Sequence, residues 1–373
     1  MKTMKQLNLA GAALLALALV APASEVAEPT LAISAAHVLV DGGTVVDDAL
    51  VLVGDGKILA VGLKEDLLGK LPEGVHVVEH DGWLSSGMIA ANATFGLTYT
   101  DDSTGAFMDD LRLAPAFNGD SKKLTAAREL GITSFGLVTG RANVIGGIGA
   151  VAKTDGQIVN DAANLSICLA PPALRGNRFP TSYGGALGAL RARIASGEGA
   201  LAAAAKSGKL PVQIAVNSRG EIARAIDFAG AAGLNTVLRG ATRAGDFAAD
   251  LKKAKMMVAL QPIGLGATAQ TTGSMLALAK AGVPFAFGLA DTSSIASLHE
   301  SAALAKRAGL ARATAWNSVT TTAAKLLGTE ATMGRVAAGF DADLVLWSGD
   351  PLSITSRPVA VYIDGELSEG DKN

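Results

Sequence analysis

Few residues in this chain have side chains suited to chemistry. Histidine occurs four times, at His37, His76, His80 and His299. His76 and His80 would share one face of a strand, but positions four apart on a strand lie roughly 13 Å from each other, too far to chelate one ion. His299 falls in a helical stretch, and each of the four is read as structural or solvated. The single cysteine, Cys168, lies in the apolar run Leu165–Leu169 and reads as a small core residue rather than a nucleophile. It leaves the chain with no internal disulfide. Asp101, Asp102, Asp109 and Asp110 offer the oxygen donors that calcium takes, although a solvated loop is the plainer reading. The glycine-rich run Gly146–Ala152 leads into Lys153 but lacks the Lys-Ser/Thr of a phosphate loop, which argues against a nucleotide site. Arg141, Arg175 and Arg178 follow expected strand ends, where they would meet anionic groups or simply face solvent.

The elements that must position these groups fall into two textures. Between residues 30 and 83, short β-prone runs (His37–Val40, Ala49–Val53, Ile58–Val61, Val75–Val78) are separated by turn signals such as Asp41-Gly42-Gly43 and Gly54-Asp55-Gly56. From residue 86, apolar runs alternate with helical stretches. Eight strands are expected, at Met88–Ala91, Ile132–Val138, Val144–Ala152, Leu165–Leu169, Val212–Val216, Thr236–Leu238, Met257–Leu260 and Phe285–Leu289. Helical patterns include Ala186–Lys206 and Ala311–Leu327. This alternation predicts an α/β fold with a closed parallel, TIM-like (β/α)8 barrel. The Val138–Val144 connection is too short for a helix, so one repeat must be irregular. Asp343–Trp347 and Val359–Ile363 return to strand character and are expected to complete the small β unit begun near residue 30. The organisation expected is therefore a composite β-sandwich from 24–85 plus 335–373, and a barrel over 86–334.

Composition allows a large core. The chain has 373 residues, 49% hydrophobic but only 4% aromatic, so Ala, Val, Leu and Ile must build it, with 44 glycines permitting close packing. A net charge of −2, without long charged runs, gives no support to nucleic acid or anionic membrane partners. Lys2 and Lys5, the apolar stretch Leu9–Ala21 and the small-x-small pattern Ala21-Pro22-Ala23 read as a signal peptide over residues 1–23. An exported protein, periplasmic or extracellular, is expected, with no membrane span after cleavage.

The C-terminal stretch is the most specific feature. Ala311–Gly328 is followed by Met333-Gly-Arg-Val-Ala-Ala-Gly-Phe-Asp-Ala-Asp-Leu-Val-Leu-Trp347 and then by Gly349-Asp-Pro351. This resembles the C-terminal signature of the amidohydrolase superfamily, "T-x-N-x-A-x-x-L-G" before "G-x-I-x-x-G-x-D-A-D-L-V-L", and in particular its imidazolonepropionase-like branch. Asp55–Gly62 is similar to the family's N-terminal "D-G-K-I-x-A-V-G". The resemblance implies a TIM-like barrel beside a composite β-sandwich, and hydrolysis of non-peptide C–N bonds in amides and cyclic amides. It implies one or two divalent metals, zinc or another, that acidify water and polarise the carbonyl.

The resemblance also marks where this sequence departs from the pattern. In Ser86–Phe95 the places of a His-x-His pair are taken by Asn92 and Thr94, and amide and hydroxyl oxygens are weak zinc ligands beside imidazole. Ala215 takes the place of a further histidine, and the next falls near Arg239-Gly240. Asp291 matches the aspartate ending the eighth barrel strand, and is the expected general base. Lys153 matches a barrel lysine that some amidohydrolases carboxylate to bridge two metals. Asn92, Thr94, Asn217 and Arg239 are the expected substrate-binding residues; Asp291 and Lys153 are at most the metal ligands. The function expected is an amidohydrolase-family protein with catalysis lost or much reduced. The alternative is a non-catalytic subunit that binds a small molecule or pairs, as a homo- or hetero-oligomer, with an active homologue.

Overall fold

A computed structural model describes residues 27–102, 104–290 and 294–370. The signal expected over 1–23 and the expected general base Asp291 lie outside the described residues.

Both ends of the described chain enter one seven-stranded sheet. Its strands are β1 (Leu31–Asp41), β2 (Thr44–Gly54), β3 (Lys57–Leu63), β4 (His76–Ser86), β13 (Leu344–Trp347), β14 (Pro358–Ile363) and β15 (Glu366–Glu369). Their order is β15-β14-β13-β4-β1-β2-β3, so β13 pairs with β4 across more than half the sequence. Residues 336–342 bond to the far side of the sheet, where the Ile58 amide donates to the Phe340 carbonyl and the Ala342 amide to the Gly56 carbonyl. The enclosed core holds Ile33, Val51, Ile58, Leu84, Leu344 and Tyr362.

The chain steps from this sheet into the barrel at Gly87, the residue between β4 and β5 (Met88–Ala93). A Cβ at Gly87 would collide with the Thr133 side chain, so the crossing requires glycine. The barrel continues with β6 (Ile132–Leu137), β7 (Ile145–Lys153), β8 (Ile158–Cys168), β9 (Val212–Ala215), β10 (Thr236–Arg239), β11 (Met257–Leu260) and β12 (Phe285–Phe287), adjacent in chain order. Beyond β12, the Leu289 amide donates to the Asn92 carbonyl at 2.5 Å and brings the last strand to the first.

The expectation of a wholly parallel barrel is corrected at one strand. β7 runs antiparallel to both β6 and β8, while the remaining pairs are parallel. A parallel connection needs about a dozen residues or more to cross back. Residues 138–144 are too few, so the chain can only reverse.

The helices are α1 (Lys64–Leu68), α2 (Lys122–Glu129), α3 (Tyr183–Ser196), α4 (Gly199–Ser207), α5 (Arg219–Ala232), α6 (Ala248–Lys253), α7 (Ala269–Ala281), α8 (Ser297–Arg307), α9 (Arg312–Asn317) and α10 (Thr321–Leu327). The helix expected over 186–206 is divided into α3 and α4 at left-handed Gly197. Outward residues of the strands, among them Phe135, Ile214, Leu238 and Phe287, pack with Phe228 of α5 and Leu298 of α8. Ile89, Ala91, Val237 and Ala259 pack with Leu327 of α10 and Met333 at the foot of the barrel.

The sheet and the barrel meet at a buried ion cluster. Lys153, 2% exposed, ends β7; its Nζ lies 2.9 Å from Asp343, 3.1 Å from Asp341 and 2.5 Å from Asp364. A lone buried ammonium would cost several kcal/mol. Here three carboxylates surround it and hold its pKa above the ordinary lysine value, outweighing the opposing effect of burial. Asp343 is displaced upward, to about 6: its burial outweighs the attraction of Lys153, and Asp364 repels its charge.

Candidate active site

In a barrel of this kind the strand carboxyl ends and the loops after them form the functional face. Asn92 on β5, Thr94 just beyond it, Asn217 just after β9 and Arg239 at the end of β10 all stand at that end.

Arg239 dominates the mouth. It is 2% exposed, and its register partners on either side are Ala215 and Ala259, small residues that leave room for a long side chain. Nη1 donates to the Thr139 carbonyl at 2.8 Å, and Nη2 to the Gly140 carbonyl at 3.2 Å. Both acceptors follow β6. β6 and β10 are separated by β7, β8 and β9, so the side chain crosses the lumen of the eight-stranded barrel. Two bonds from a charged donor, each worth about 1.5–3 kcal/mol net, hold it there.

Arg141 crosses in the opposite sense. It leaves the loop after β6, and its Nη1 donates to the Asn217 Oδ1 at 2.9 Å. Asn217 is itself fixed by the start of α5. Ser218 and Glu221 form a capping box, and the Glu221 carboxylate also accepts from the Asn217 amide at 2.7 Å. These bonds lower the Glu221 pKa against the effect of burial. The guanidinium of Arg141 fills the space beside Gly240. A Cβ there would collide with Nη2, and Gly240 has φ +80°, which disfavours any other residue.

Asn92 is buried, and its Oδ1 accepts from the Ala290 amide at 3.1 Å. Its amide packs so closely on Gly288 that a Cβ at 288 would collide with it. Among the described residues, neither Nδ2 of Asn92 nor either amide atom of Gln213 meets a hydrogen-bonding partner. Gln213, 1% exposed on β9, leaves only one trace in the sequence, a polar residue inside the apolar run Val212–Val216.

These residues do not suit a zinc ion. The position next to Arg239 that would carry an imidazole is Gly240, and the space a side chain would need is taken by Arg141. Asn92 directs its oxygen to a backbone amide, and Ala215 has no donor. Among the described residues no group of three or more His, Cys, Asp or Glu could hold a metal. A divalent cation would also be repelled by the two guanidinium groups.

Lys153 does not join this face. The reversal of β7 carries its last residue to the foot of the barrel, opposite Ser134 near the start of β6. The three aspartates there favour the ammonium, whereas carboxylation needs the neutral amine, and in this position Lys153 joins the barrel to the sheet. The histidines lie elsewhere too. His37 meets Asp47 at 2.7 Å, His80 the Trp347 carbonyl at 2.9 Å and His299 the Pro351 carbonyl at 2.7 Å, while His76 lies on β4. Of the acidic loop, Asp101 accepts from the Ala142 amide, Asp102 from Thr104, and Asp109 pairs with Arg193, so these carboxylates order loops individually. Arg178 donates to the carbonyls of Gly105 and Ala142.

Comparison with known proteins agrees with this architecture. Residues 199–367 match the amidohydrolase family model. The amidohydrolase tasK of Hapsidospora irregularis is 47% identical over 63 residues, which is 17% of this chain and 6% of that protein's length. An amidohydrolase from Thermotoga maritima MSB8 superposes with a TM-score of 0.82 at 23% identity, over 91% of this chain and 100% of that one. The ochratoxinase of A. niger gives 0.59 at 17% identity, over 92% and 97%. A putative prolidase from Bifidobacterium longum gives 0.55 at 18%, over 93% and 96%. At these identities the superpositions speak for the fold. The match of residues 199–367 to the amidohydrolase family model, together with the shared barrel and sheet, supports an amidohydrolase-superfamily assignment for this chain.

Proposed function

We propose that this chain is an exported, metal-independent member of the superfamily. In it, hydrolysis of non-peptide C–N bonds is lost or much reduced, and the barrel mouth binds a small molecule in partnership with an active, histidine-complete homologue. The observation that carries this reading is the pair of arginines, Arg239 spanning the lumen and Arg141 filling the space at Gly240. Unassisted water has a pKa near 15.7, against about 7 when bound to zinc. A carboxylate base alone recovers only part of that difference. Any remaining hydrolysis would rest on Asp291.

Two further features favour binding. The amides of Gln213 and Asn92 give the lumen hydrogen-bonding capacity for a polar guest. Tyr99, Phe179 and Leu265 are 83%, 65% and 77% exposed on the loops after β5, β8 and β11, giving the rim apolar contacts for a ligand or partner. The test is turnover of a panel of amides and cyclic amides by the full chain, with and without added zinc. The reading expects turnover at or barely above background and unchanged by zinc; efficient turnover that Asp291→Asn abolishes would show a working hydrolase.

A further inference from the structure

At the foot of the barrel, a pocket of about 900 Å³ opens between the segments leading into β8–β12 and the end of α10. Four lysines line it, Lys209, Lys252, Lys255 and Lys325, against a single acid, Glu330. Its apolar surface includes Leu210, Met256 and Pro284. The volume suits an ordinary small ligand, for which sites run about 300–1,000 Å³.

Lysines near helix ends often answer the partial negative charge of the last carbonyls. Lys252 does so, donating to the Gly282 carbonyl at 2.9 Å. Lys255 has a different geometry. It follows α6 in the left-handed region, at φ +55°. Glycine fills the corresponding left-handed position after α3, α4, α5, α7 and α10. The other non-glycine residues of positive φ among the described residues are Asp48, Asp55 and Asp364, of a type that tolerates this region better. A lysine there is strained where glycine would be relaxed, and strain kept at a pocket wall points to work for its side chain.

We infer that this pocket binds a small amphiphilic anion. The lysines hold a carboxylate, phosphate or sulfate head, and Leu210, Met256 and Pro284 receive its apolar body. The site lies at the opposite end of the barrel from the mouth, so it stands independently of the proposal made for that face. Four positive side chains against one negative favour an anion, and their exposure makes the binding salt-dependent.

The experiment is calorimetric titration of the full chain with octanoate and, separately, with 1-octanol, which has the same chain length without the charge. Saturable binding of one octanoate per chain is expected, with octanol at least tenfold weaker. Lys209→Gln combined with Lys325→Gln should weaken octanoate at least tenfold. Lys255→Gly should weaken it at least threefold while raising the Tm, because the strain is relieved. A lysine of purely structural role would move the Tm and leave the titration unchanged. No saturable octanoate binding, equal affinity for octanol, or lysine substitutions without effect on the Kd would each overturn the assignment.

Discussion

Nη1 of Arg239 lies 2.8 Å from the carbonyl oxygen of Thr139, a residue on the opposite side of the barrel. A side chain that spans a lumen holds both walls. Replacing Arg239 by Leu removes the bonds to Thr139 and Gly140 and takes the charged donor from the buried Thr139 carbonyl. The expected cost is about 2–4 kcal/mol, read from denaturant unfolding. Arg239→Lys should restore little, since one ammonium cannot reproduce the planar fork. Wild-type stability in Arg239→Leu would mean that the crossing carries no structural load.

Gly240→His tests whether the lost imidazole can simply be put back. The new side chain must adopt φ +80° and displace the Arg141 guanidinium. Left-handed strain of about 1–2 kcal/mol is expected, with the flexible Arg141 side chain displaced from Asn217, and without gain of zinc affinity. A stable, zinc-binding Gly240→His protein would show that this position is still open to a ligand.

Between the barrel and the sheet, Asp343 makes stability depend on pH. Its folded pKa, about 6, lies above the ordinary 3.8. Between those values the folded chain keeps a proton that the unfolded chain has released, so raising the pH destabilises the folded state. The penalty is absent below about pH 4 and complete above about pH 6. Comparing wild type with Asp343→Asn isolates it. The difference in unfolding free energy should shift against wild type by up to about 3 kcal/mol across that window, and a flat difference would refute the assignment.

Removing the cation from the same cluster acts in the other direction. Lys153→Met leaves Asp341, Asp343 and Asp364 facing one another without Lys153 between them. A loss of about 3–5 kcal/mol is expected at neutral pH, smaller in acid where the carboxylates protonate. Equilibrium unfolding at pH 7 and pH 4.5 measures both values.

Most of the frame was legible from local pattern. Seven of the eight barrel strands coincide with an apolar run to within two residues, because a buried strand leaves a short run of Val, Ile, Leu and Ala whatever its direction; β8 starts at Ile158, ahead of the run Leu165–Leu169, because its first half is polar and largely exposed. Direction leaves no such trace, and the reversal of β7 could be suspected only from the short segment 138–144. That reversal decides where Lys153 goes, so a residue matched by motif to a metal site stands instead at the joint with the sheet. Its partners Asp341, Asp343 and Asp364 lie about 190–210 positions further along, beyond the reach of spacing arguments. The missing imidazoles at Asn92, Thr94, Ala215 and Gly240 were visible by residue type. That Arg141 occupies the space at Gly240 follows only from closing the barrel, which brings the end of β6 across to β10.

The most direct test of the central claim is zinc binding by the full chain, followed by calorimetry and by metal analysis after dialysis. The account predicts well under one bound equivalent and no change in Tm when a chelator is added. One equivalent of tightly held zinc, with a Tm that falls on chelation, would contradict it.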